Sequence, residues 1–152
     1  MRRLDGAAEV ERALGEELGV GSWYPVTQAA VTAFADVTGD HQWIHVDAAR
    51  AAQGPYGGTV AHGYFTLSLL PHLVSDAFEL TGFGMKVNYG LDRVRFPSPV
   101  RVGSRIRARA VLTEVEGTAR GTRIVVRNTV EIEDSTVPAC VADTVALLVP
   151  RP

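Results

Sequence analysis

The spacing of apolar residues changes half-way along this chain, and that change restricts the fold more than any other feature. In the first half the apolar residues recur at helical intervals. From Arg105 onward they fall on alternate positions: Ile106, Ala108 and Ala110 alternate with Arg105, Arg107 and Arg109. Ile124, Val126, Val130 and Ile132 alternate in the same way with Arg123, Arg127, Glu131 and Glu133. A period of two gives a strand one face for the core and one for water. Two more strands fit at about 84–96 and 138–149.

Ahead of the strands lies the most apolar segment, Gly63 to Leu80. Its apolar residues lie nearly all round a helix, which predicts one long helix buried on most sides, bent at Pro71. Residues 6–18 predict an earlier helix ended by Gly19-Val20-Gly21, so that 1–20 form a helical extension. Thr27 is a good N-cap for a helix with Val26, Ala30, Ala33, Phe34 and Val37 on one face, stopped by Gly39. Residues 40–61 read as mostly irregular, with a short helix started by Asp47 and a flexible loop, Gln53 to Gly58. That loop lacks the Gly-Lys-Ser/Thr ending of a phosphate-cradling loop. Helices followed by a run of antiparallel strands predict an α+β fold, a sheet curled around the single apolar helix, with residues 1–152 as one domain. Such a sheet leaves an edge uncovered, which predicts a symmetric homodimer.

Charge is unevenly spread. Residues 86–127 hold ten of the 15 basic residues against Asp92, Glu114 and Glu116, within a chain of net charge −2. Either these arginines are the solvated face of a sheet, the preferred reading, or some of them receive a polyanion. Nucleic acid is excluded as that partner, because no aromatic platform is interleaved with the arginines and the pI is about 6.1. No segment reaches the length of a membrane span, and residues 1–20 do not read as a secretory signal. Cys140 is the only cysteine, so no intrachain disulfide forms. A cytoplasmic location is expected.

The dense polar cluster is Thr38-Gly39-Asp40-His41-Gln42-Trp43-Ile44-His45-Val46-Asp47. On a regular helix, groups five apart point about 140° away from each other, so Asp40 and His45 meet only if the backbone turns between them. Gly39 supplies a break. A carboxylate and an imidazole held together make an acid–base pair. The alternative is a turn aspartate and a half-buried histidine. Gly63 either opens a helix and nothing more, or offers its amide to a developing negative charge. His62 reads better as a capping or packing residue. A metal site from Asp40, His41, His45 and His62 is disfavoured, since Gly39 spoils a shared helical face.

Taken jointly, Thr38-Gly39-Asp40, His45, Asp47 and Gly57-Gly58-Thr59-Val60-Ala61-His62-Gly63 resemble the MaoC-like, R-specific enoyl-CoA hydratase family. Gly39 to His45, Asn88-Tyr89-Gly90 and Val94-Arg95-Phe96-Pro97 resemble its nodulation-protein-N-like branch, so the likeness covers about residues 20–150. The resemblance implies a hot-dog fold and reversible syn hydration of a trans-2-enoyl thioester. Asp40 and His45 then match the catalytic pair, with Asp40 expected as base and His45 as proton donor. Gly63 matches the glycine whose amide binds the thioester carbonyl. No metal or redox cofactor is implied; coenzyme A is the carrier of the acyl-CoA thioester substrate. Gln42-Trp43 replaces the usual Asn-Pro, and Pro71 stands where some relatives have an active-site serine. A hot-dog thioesterase and a non-catalytic acyl-thioester-binding subunit are the alternatives.

Overall fold

Arginine on one face and aliphatic residues on the other give the second half its strands. In the computed structural model, which describes residues 1–152, these are β5 (Phe83–Arg95), β6 (Arg105–Thr118), β7 (Gly121–Ile132) and β8 (Cys140–Pro150). With β2 (Glu17–Val20) they form an antiparallel sheet in the order β2-β6-β7-β8-β5, and β3 (Tyr24–Pro25) also pairs with β6. Ile106, Ala108, Ala110 and Leu112 of β6 are buried and face the core. Their neighbours face outward into cross-strand ion pairs: Arg107 with Glu131 at 2.7 Å, Arg109 with Glu131 at 3.0 Å, Arg127 with Asp143 at 2.7 Å. Arg105 pairs with Glu133, and Arg109 also with Glu17. Surface pairs of this kind contribute about 0.2–1 kcal/mol each, so they fix register more than stability. Most of the basic segment is therefore the solvated face of the sheet.

The N-terminal segment departs from the expected helix over 6–18. Helix α1 (Gly6–Arg12) is short, Gly15 turns the chain at φ 84°, and residues from Glu17 join the sheet as β2. The free edge of β6 decides this: pairing there satisfies backbone groups and buries Leu18 to 1% exposure, which outweighs local helix propensity. Residues 1–20 are thus a strand–helix–strand unit, because β1 (Arg2–Asp5) pairs in parallel with β4 (Phe78–Thr81).

The long helix is likewise interrupted. It is two pieces, α5 (Gly63–Ser68) and α6 (Leu70–Leu73), and Phe78–Thr81 is strand β4. Pro71 lies in the first turn of α6, where its missing donor leaves no bond unmade. The chain breaks just before it. Phe65, Leu70 and Leu73 still pack against Ile106, Val130 and Ala142 of the sheet, so the sheet-around-helix arrangement stands with a shorter helix. Gly21 permits the crossing from β2 to β3, since a Cβ there would lie 1.8 Å from the carbonyl oxygen of Leu73. A second cluster, around Val10, Leu18, Leu112 and Leu148, seals the other end.

Helix α2 (Gln28–Thr38) begins and ends as expected. Thr27 accepts the Ala30 N–H at 3.2 Å, and Gly39 is left-handed at φ 76°. Its buried face is one residue off the expected one: Val31 and Ala35 are buried, whereas Val37 is 87% exposed. No helix is long and apolar enough to cross a membrane.

Candidate active site

Gly39 does what the sequence pattern requires of it: the left-handed residue turns the chain out of α2, and Asp40 follows outside any helix or strand. A short helix that periodicity did not show, α3 (Trp43–Val46), then carries His45 inward. Asp47 caps α4 (Ala48–Ala52) by accepting the Arg50 N–H at 3.0 Å. Because the helix is interrupted between them, Asp40 and His45 converge. A carboxylate oxygen of Asp40 and one ring nitrogen each of His45 and His62 lie within 4.8 Å of one another. His41 is not part of this group; it is exposed and bonded to Asp36 at 2.8 Å.

His45 is 6% exposed, and its Nδ1 lies 2.7 Å from the carbonyl oxygen of Val60. A carbonyl only accepts, so Nδ1 carries a proton and Nε2 keeps its lone pair. The backbone around the ring is tied down. Val60 N–H donates to Ile44 O at 3.0 Å, and Gln28 of α2 donates to His45 O at 2.8 Å while accepting from Thr59 Oγ1 at 2.6 Å. Burial pushes the His45 pKa below its usual value; the Val60 bond opposes this, His62 adds to it and Asp40 opposes it again, with a net lowering.

A cavity of about 230 Å³ opens beside the ring, walled by His45, Tyr56, Val60, Gly63, Phe96 and Val100 among others. Gly63 is the first residue of α5, so its N–H has no intrahelical partner. With six residues in α5 the helix dipole is small, and the amide itself is what this wall offers. A Cβ at Gly63 would press on the Phe96 ring at 3.1 Å. Asp40 is exposed and stands beside the cavity, not in its wall. The set Asp40, His45 and His62 has the residue types of a metal site, but His45 Nδ1 and His62 Nε2 are held by carbonyls. The two rings are stacked, centroids 3.7 Å apart at 26°, and each has one ring nitrogen left without a hydrogen bond.

Residues 9–135 match the family described as MaoC like domain. The chain belongs to the MaoC-like dehydratase family. Its relatives place it in the nodulation-protein-N branch of that family. It is 50% identical over 146 residues to 3-hydroxyacyl-thioester dehydratase Z of Mycobacterium tuberculosis, covering 95% of this chain and 97% of that protein. It is 46% identical to Nodulation protein N of Rhizobium leguminosarum bv. viciae, covering 93% and 89%. Among solved structures, the (R)-hydratase from A. caviae involved in PHA biosynthesis superposes with a TM-score of 0.72 at 20% identity, over 89% of this chain and 96% of that one. That likeness shows the MaoC-like hot-dog fold.

Several residues that shape this site were not legible as such. Gln28 and Tyr56 were given no role, Thr59 and Phe96 only a place in motifs, and the folded chain is what brings all four to the dyad. Of the two roles expected for His62, packing is the one found: it is a buried ring stacked on His45 and makes no side-chain cap bond, and what the sequence did not show is the ring it packs on. Of the arginines that could meet a polyanion, Arg105, Arg107 and Arg109 are held in ion pairs. Arg93 and Arg95, on the β5 edge, stand outside those pairs and line a groove of about 220 Å³ with Arg127 and Asp143.

Proposed function

We propose that the protein is an (R)-specific enoyl-CoA hydratase, working equally as a 3-hydroxyacyl-CoA dehydratase in the cytoplasm, with Asp40 and His45 as the catalytic pair. The observation that carries this reading is the convergence of the Asp40 carboxylate and the buried His45 ring beside a cavity that contains the Gly63 amide. One water donates to Asp40 and to the His45 Nε2 lone pair. As its oxygen attacks C3 of a trans-2-enoyl thioester, a proton passes to the dyad, and a proton returns from the dyad to C2 on the same face. His45 begins as an acceptor, so it delivers a proton only after taking one. The Gly63 N–H stabilises the enolate oxygen that forms in between. The reaction moves protons and one C–O bond, which asks for no metal or redox cofactor; coenzyme A enters as part of the substrate.

Incubation with trans-2-enoyl-CoA tests the reading, following enoyl absorbance and free thiol together. Loss of absorbance without thiol release is expected. Thiol release would favour a thioesterase, and no reaction with any chain length would favour an acyl-thioester-binding subunit.

Two further results are expected. Arg93 and Arg95 line a groove outside the ion-pair network, and if they hold coenzyme A phosphates, Arg93→Glu and Arg95→Glu should raise KM with kcat nearly unchanged, because such contacts bind substrate and transition state alike. An unchanged KM returns them to the solvated surface. β5 is a sheet edge of 13 residues that exposes Met85, Tyr89 and Leu91, and an edge of that length invites a second copy. Light scattering at micromolar concentration should therefore give the mass of a homodimer; a monomer contradicts it.

A further inference from the structure

The geometry points to His62 as a positioning residue for the Asp40–His45 pair, holding the backbone of one and the ring of the other; this rests on the hydratase reading. His62 is 3% exposed and takes no part in the cavity wall. Its Nε2 lies 2.9 Å from the backbone carbonyl oxygen of Asp40, which can only accept, so Nε2 carries the proton. Its Nδ1 is buried and has no partner atom. A proton placed on Nδ1 instead would be a buried N–H without an acceptor, beside the His45 ring whose centroid is 3.7 Å away. The site therefore favours the Nε2–H tautomer of His62.

Capping does not account for this arrangement, since His62 precedes α5 but makes no side-chain cap bond. Two consequences follow for the pair. Asp40 comes directly after the left-handed Gly39, is exposed, and has only a 3.4 Å side-chain contact with the Gln42 N–H. The His62 bond ties its backbone to the buried layer. His45 is covered by the His62 ring, which Phe34 of α2 backs at 5.1 Å, so water is kept from that face of the imidazole. The titratable groups facing His45 are Asp40 from the loop, His62 on its ring face and Tyr56 across the cavity. Neither tie touches the place where a substrate sits. Losing them should disturb kcat and leave KM alone.

Two variants separate the two ties. His62→Phe keeps a ring on His45 and loses the donor to Asp40; His62→Gln keeps a donor and loses the stack. In His62→Phe, kcat per folded molecule should fall about 10–100-fold, as for other small misplacements of reacting groups, with KM within about twofold. His62→Gln should recover part of that kcat, while its His45 titration midpoint rises because water and charge reach the ring more easily. Nitrogen NMR of the imidazole rings reads the midpoint without any turnover, and in the unmodified protein should report the His62 donor proton on Nε2. An Nδ1–H tautomer of His62 overturns the proposal, even if both variants fail to fold. So do kcat per folded molecule and a His45 midpoint that match the unmodified protein in both variants. Should the unmodified protein hydrate no enoyl thioester, the hydratase reading falls, and the His45 midpoint alone then decides: raised in His62→Gln supports positioning, unchanged overturns it.

Discussion

Replacing His45 by Gln, or Asp40 by Asn, is expected to lower kcat by roughly 10²–10⁴-fold in a protein that still folds. His45 lies at the centre of the site with Nδ1 bonded to Val60 O at 2.7 Å, and glutamine can keep that bond while losing the Nε2 lone pair. Asp40 is exposed, and asparagine replaces it with little change in volume. If the two groups act on one water as proposed, the double variant should be little worse than either single one. The pH profile carries a second signature. The lone pair is available only in neutral His45, whose pKa lies below the usual 6.5. Activity should therefore persist through that value and fall only as the pH drops through the lowered one. Stability follows the same sign: what His45 contributes is present above pH 6.5 and is lost as the pH falls from there through the lowered folded value. If instead the histidine only packs, kcat per folded molecule stays near normal in His45→Gln and only the melting temperature moves.

Gly63 offers a cleaner separation of fold from chemistry. As the first residue of α5, it occupies the one helical position where proline is well tolerated, and His62 before it is already extended at φ −61°, ψ 143°. Gly63→Pro thus removes the N–H proposed to hold the enolate while the helix start is kept. Loss of one such donor lowers kcat by about 10²–10³-fold. Gly63→Ala is the control. It retains the amide and adds a Cβ against Phe96, a half-exposed ring with room to give, so its kcat should stay much closer to that of the unmodified protein. Equal losses in the two variants would show that space, not the amide, is what Gly63 supplies.

The strands were legible because arginine and aliphatic residues alternate through β6 and β7 with no competing period. The ends of α2 and α4 were legible because Thr27, Gly39 and Asp47 act through their own backbone neighbours. What escaped depends on distant partners. Glu17–Val20 become a strand only because β6 has a free edge, and Phe78–Thr81 only because β1 lies alongside. On the expected face of α2, Ala30 and Phe34 do pack on the core, but the helix is turned so that Val31 and Ala35 are buried with them and Ala33 and Val37 are not. The same division runs through the site. Asp40, His45 and Gly63 stood out because Gly39 and the start of α5 give them local reasons to matter. His62 did not, since a histidine ahead of a helix reads the same whether it caps the helix or stacks on another ring. The ion pairs of Arg105, Arg107 and Arg109 needed the cross-strand register with Glu131 and Glu133.

The central claim is that one water is split by two groups on one face of a trans-2-enoyl thioester. Hydration of trans-2-enoyl-CoA in deuterium oxide, with chiral analysis of the product and assignment of the deuterium at C2, tests it most directly. An (R)-3-hydroxyacyl-CoA with oxygen and deuterium added to the same face is predicted. An (S) product, or addition to opposite faces, would contradict it.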